Sequence, residues 1–166
     1  MSKERARISP EELAVIDTYT SNVPVKIAAL ASALGLEVKK ATLRPRISGQ
    51  LQRSSTSVSG YRIRVNRHES TPRQRFTVAH ELAHYLLHRD QIGDGIEDSI
   101  LYRSSLSDAR EAEANRLAAE LLMPVKTLRE HASKFGSRLT AANVQKLADL
   151  YQVSEAAMSI RVGLTP

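Results

Sequence analysis

A chain of 166 residues, 42% apolar and 25% charged, can bury one sizeable core and suits a single domain with a small appendage. It has no cysteine, which excludes disulfides and thiolate metal ligands. The net charge is +6, and ten lysines and arginines lie between Lys39 and Arg75 against Glu69 alone, so weak, non-specific nucleic-acid contact through this 39–75 stretch is expected.

The chain opens on a charged stretch, Met1 to Arg7, with no signal-peptide character, and no apolar run approaches the roughly 18 residues a membrane helix needs. A cytoplasmic protein with no membrane partner is expected. Ser9-Pro10-Glu11-Glu12 is a capping-box start that opens a helix to about Thr18. Pro24 leads a second helix, with Ile27, Leu30, Ala31 and Leu34 on one face and Gly35 at its end. Leu36-Glu37-Val38 reads as a short strand and Ile47 to Leu51 as a weak one. Tyr61-Arg62-Ile63-Arg64-Val65 alternates cleanly and is the strongest strand signal. Thr71 as N-cap, Pro72 and Gln74 then start a helix whose apolar stripe is Phe76, Ala79, Ala83, Leu86 and Leu87. Arg89 to Ser107 reads as a polar connection with turns at Gly93 and Gly95. Ser107 or Asp108 caps the next helix, which Pro124 ends. Two or three further helices follow, broken at Phe135-Gly136 and joined at the end across Gln152-Val153-Ser154. The expected division is an N-terminal extension (1–22), a catalytic domain (23–125) and a C-terminal, helix-turn-helix-like segment (126–166).

The chemistry is concentrated in His80-Glu81-Leu82-Ala83-His84. Residues four apart share a helix face, so His80 and His84 can hold one zinc ion while Glu81 acts on a water in the open position. Catalytic zinc takes three protein ligands. His88 is again four residues on, but about 12 Å from His80 along the axis, too far to share an ion; it reads as a buried structural residue. Asp90 is a weak candidate. Glu111 and Glu113, near the start of the following helix, both lie at the edge of its apolar stripe, and periodicity does not choose between them.

Four segments carry a family resemblance: Pro24-Val25 to Leu36-Glu37-Val38, Ile47-Ser48-Gly49, the run Arg75 to His88 around the paired histidines, and Glu111-Ala112-Glu113-Ala114-Asn115-Arg116-Leu117 on to Met123-Pro124. With them the chain resembles the ImmA/IrrE family of zinc metallopeptidases, in its short, ImmA-like form. Ala83 and Leu117 depart mildly from the family pattern. The resemblance implies an α+β, zincin-like fold of the gluzincin type, with a small twisted antiparallel sheet on the metal-bearing helices. It also implies one zinc ion and Glu113 as its third ligand, with Glu111 as a helix N-terminal or outer-shell carboxylate.

The expected activity is peptide hydrolysis, with Glu81 moving the water proton to the leaving amine. Tyr102, Arg103, His88 and His131 are available as oxyanion donors. Tyr61, Arg62, Ile63 and Arg64 are expected to form a sheet edge to which substrate adds in extended form. The resemblance implies a cytosolic helix-turn-helix repressor of a mobile element or stress regulon as substrate. The alternative is a DNA- or repressor-binding regulator with a non-catalytic zinc site. Against autonomous DNA reading, the last helix, Ser154 to Arg161, lacks the Asn, Gln and paired Arg side chains that read base edges.

Overall fold

The structure, a computed structural model, describes residues 1–99 and 101–164. A short 3-10 turn, Arg5–Arg7, precedes α1 (Pro10–Thr20) and α2 (Ile27–Ala33). Three strands follow, β1 (Glu37–Ala41), β2 (Ile47–Arg53) and β3 (Tyr61–Asn66), then α3 (Thr71–His88), β4 (Gly95–Ser99), α4 (Asp108–Leu122), α5 (Val125–Ser133), α6 (Ala141–Tyr151) and α7 (Glu155–Arg161). The capping box at Ser9 forms with Glu12. The N-cap of α3 is Ser70, one residue before the expected Thr71, and its side chain accepts from Arg73 N.

The fold is α+β, but the sheet is mixed rather than antiparallel, in the order β1-β3-β2-β4. β2 and β3 form a hairpin. β4 occupies the outer side of β2, so β1 enters beside β3 and runs parallel to it. Two expectations are thereby corrected. The stretch after His88 contains a strand, β4. Tyr61 to Arg64 is no free edge, because β3 is paired on both sides; Tyr61 and Ile63 are buried, while Arg62 and Arg64 donate to Gln52 and Gln50. Among the described residues the free edges belong to β1 and β4.

α3 lies between the sheet and α4, and every residue from Thr77 to His88 is buried. One contiguous core runs from Ile16 on α1 through Leu51, Ile63, Leu82 and Leu121 to Leu147 and Met158 in the C-terminal helices. Two arginine clamps tie those helices down. Arg75 of α3 donates to the carbonyls of Tyr151 and Gln152 at the end of α6, and Arg161 of α7 donates twice to Met123 O after α4.

Gly49 sets how closely β2 approaches α3. A Cβ there would lie 2.4 Å from Thr77 Cγ2 and 3.4 Å from Glu81 Oε1. The methyl it meets belongs to a β-branched, buried side chain that has little room to rotate. Gly49→Ala should therefore destabilise the fold by about 1–3 kcal/mol, the usual cost of overpacking. Thermal unfolding checks this, and Thr77→Ser, which removes the opposing methyl, should restore part of the loss.

Candidate metal centre

His80 and His84 project from successive turns of α3 with their Nε2 atoms 3.1 Å apart. Glu111, in the first turn of α4, faces both, 3.1 Å from His80 Nε2 and 3.2 Å from His84 Nε2. Asp98, the inward residue of β4, brings Oδ1 to 3.0 Å from His80 Nε2. A register irregularity between Ile47 and Gly49 on β2 sets Asp98 opposite Gly49, so β4 delivers its carboxylate where α3 comes closest. All four side chains are buried, and one donor atom from each lies within 4.8 Å of the others.

The second ring nitrogens fix the orientation of both imidazoles. His80 Nδ1–H donates to Asn115 Oδ1 at 2.9 Å, one turn beyond Glu111 on α4. His84 Nδ1–H donates to Nδ1 of His88 at 3.0 Å. His88 is kept neutral because burial, then the charges of His84, Arg7 and Arg110, push its pKa down to about 4. It therefore carries its proton on Nε2, which faces Glu113 Oε1 at 3.7 Å. This is a line of support from His84 through His88 to Glu113, of the kind that orients ligating histidines. The Nε2 atoms of His80 and His84 converge on the carboxylates.

Charge in the centre is unbalanced without a cation. Burial lowers the His80 pKa, but its bonds to Asp98 and Glu111 outweigh that and hold it at about 9. Burial raises the carboxyls of Asp98 and Glu111, and their bonds to the surrounding groups reverse this and lower both. Glu81 goes the other way: full burial, then the charge of Asp98, keeps its carboxyl protonated well above the usual range. Apart from the proton that Glu81 shares with Asp98, neither Glu81 oxygen nor Asp98 Oδ2 meets a donor among the described residues. Two imidazoles with orphaned buried carboxyl oxygens form a donor set that fits a divalent metal such as zinc.

The structure does not bring all the expected site residues together. Glu113 is not at the centre and is corrected as a metal-ligand candidate. Two residues along a helix is about 200° of rotation, so Glu111 and Asn115 share the inward face while Glu113 turns away to pair with Arg7 and Arg110. His88 supports His84 and does not face the centre. His131 is engaged on α5 with Thr127 O and Tyr151 Oη, and Arg103 contributes backbone contacts to Ser99 while its side chain is exposed. Tyr102 alone of the four oxyanion candidates stands beside the centre, its ring 5.1 Å from that of His80. It adopts a left-handed φ of 54°, and its N–H donates to Ser99 O. Thr77 Oγ1 donates to its hydroxyl, leaving the phenolic proton free to be donated elsewhere. Asp98 and Asn115 were given no role by the sequence reading. A buried acid at an inward strand position would have singled out Asp98, had β4 carried more than one apolar residue.

An α+β fold with paired helix-borne imidazoles, an adjoining glutamate and carboxylates from two further elements has the build of a metallopeptidase. The family described as Peptidase_M78, IrrE N-terminal-like domain, matches residues 32–162. The chain belongs to that family, as the ImmA/IrrE resemblance implied. No curated protein matches it. A solved structure of a Mycobacterium tuberculosis transcriptional regulator is similar in fold, with a TM-score of 0.59 at 16% identity over 96% of this chain and 49% of that one. The chain thus spans about half the length of that structure.

Two outcomes are expected from metal binding. Glu111→Gln should weaken zinc binding far more than Glu113→Gln, whose effect should stay within the roughly 10–100-fold range of supporting residues; chelator competition measures both. Zinc must also displace the His80 proton. That proton favours the metal-free fold below about pH 6.5, a contribution lost as pH rises through about 9. Zinc affinity should accordingly rise with pH up to about 9, and uptake at pH 7 should release at least one proton. Calorimetry in buffers of different ionisation enthalpy reads this, and a buffer-independent enthalpy would contradict it.

Proposed function

We propose that the protein is a zinc-dependent endopeptidase, with the ion held by His80, His84 and Glu111. The observation that carries this reading is Glu81. It is buried beside the donor set with its carboxyl committed to no structural ion pair, the condition a general base requires. A bound zinc ion would supply Lewis acidity toward a water molecule and a scissile carbonyl. Glu81 is protonated in the metal-free centre; with a cation beside it the group would be held as the carboxylate, and in that form it accepts the water proton and returns it to the leaving amine. Tyr102 donates its free phenolic proton to the developing oxyanion. The substrate segment adds along β4, the free sheet edge that ends in the centre. The substrate we favour is a cytosolic helix-turn-helix repressor of a mobile element or stress regulon. This rests on the ImmA/IrrE resemblance.

Asp98 supports a second reading. Four protein donors around one zinc make a closed, structural site, and such a protein would be a repressor- or DNA-binding regulator without hydrolytic activity. The 39–75 stretch gives that reading modest support, since several of its arginines are already engaged with the protein itself.

Incubation of the zinc-loaded protein with the repressor encoded beside its gene tests both readings. The peptidase reading expects a single cut, slowed about 10²–10⁴-fold by Glu81→Gln at unchanged zinc content. It also expects Asp98→Asn to keep stoichiometric zinc. Loss of zinc in Asp98→Asn, with no cut by the wild type, would favour the closed site.

A further inference from the structure

A cavity of about 660 Å³ opens beside the metal centre, and Tyr102 and Asn115 form part of its wall. Its position follows from the two central helices. Phe76 is one turn before His80 on α3, and Ala119 is two turns after Glu111 on α4, beyond Asn115. The cavity and the buried donor set share a wall, because Asn115 accepts from His80 Nδ1 and the Tyr102 ring lies 5.1 Å from that of His80. One helical turn is about 5.4 Å, and one residue of extended chain spans about 3.3–3.6 Å. A peptide bond poised at the centre thus places a neighbouring side chain within the cavity.

An apolar wall of Phe76, Tyr102, Met123, Val153, Ala157 and Ile160 faces polar groups that include Ser70, Asn115 and Ser154. Val153, Ala157 and Ile160 come from the C-terminal helices and the turn between them, which the Arg75 and Arg161 clamps hold against α3 and α4. Ile160 is 69% exposed, a large apolar side chain at the cavity wall. Arg73, Arg116 and Arg161 stand at the rim with Glu120 as the one acid among the lining residues. Arg116 and Arg73 are each paired with a glutamate, Glu4 and Glu69, yet the rim offers a basic residue little welcome.

We infer that this cavity is the specificity pocket for the substrate. It takes a bulky apolar side chain, of the Phe, Leu or Met class, next to the scissile bond of an extended peptide, and it disfavours Lys or Arg there. The inference deepens the peptidase reading and rests on it for the placement of the scissile bond. It also gives α7 a role: its face contributes a wall to substrate recognition.

The test uses the full-length, zinc-loaded Glu81→Gln protein, which binds without turning over. Fluorescein-labelled decapeptide pools are titrated against it, identical except for Phe, Ala or Lys at one central position. The Phe pool should bind about tenfold or more tightly than the Ala pool, the scale of discrimination an apolar pocket supplies, with Lys weakest. Adding Ala157→Trp, which fills the cavity, should abolish the Phe preference. Ile160→Asp, at an exposed position where folding is not at stake, should reduce it. Equal binding of Phe and Ala pools, or a preference untouched by both substitutions, would overturn the inference. Wild-type digestion of the same pools separates the two claims. Phe-dependent binding without any cleavage would retain a peptide-docking pocket and remove the peptidase reading; cleavage indifferent to the central residue would do the reverse.

Discussion

Burying His80, Glu81, His84 and His88 on a single helix is the constraint on which the rest of the structure depends. Polar groups withdrawn from water cost several kcal/mol each unless they meet partners. Here each neighbouring element supplies one. α4 brings Glu111 and Asn115, β4 brings Asp98, and the N-terminal segment reaches over through Arg7 to hold Glu113 behind His88. These partners leave an excess of carboxylate around two imidazole nitrogens aimed at one point, and a divalent cation would balance it. The side chains that would bind the metal are the ones this packing orders, so folding and the proposed metal binding would be coupled.

The support is layered in a way that separates roles between chemically similar residues. Glu111 and Glu113 are two positions apart on one helix, yet one faces the imidazoles and the other places its charge 3.7 Å from His88, which is hydrogen-bonded to His84. His80 and His88 are likewise two turns apart, one raised by carboxylates and the other lowered by burial and cations. Environment, rather than residue type, assigns the function. The sheet contributes by proximity: Gly49 lets β2 and α3 close on each other at the level of Glu81, and the irregular pairing beside it aims Asp98.

Much of this was legible in the sequence because local signals agreed. The alternation of Tyr61 to Val65, the caps at Ser9 and Ser107, and the His-Glu-x-x-His spacing each rest on interactions within a few residues. The strand β4 was not legible. Only Ile96 among its residues is apolar, and pairing with β2 rather than composition makes it a strand. The mixed order of the sheet, which turned β3 from an edge into a central strand, is likewise a long-range outcome. The choice between Glu111 and Glu113 was open on periodicity alone and depended on the angle at which α4 meets α3. The partnership of Asn115 with His80 follows once that angle is known.

The claim on which the account stands is that zinc binds between α3 and α4 through side chains of named elements. X-ray absorption at the zinc edge of the loaded protein measures it most directly. The account predicts two imidazole nitrogens at about 2.0–2.1 Å with carboxylate oxygen at about 2.0–2.2 Å. A zinc shell with fewer than two imidazoles, or one made of solvent oxygens alone, would contradict it.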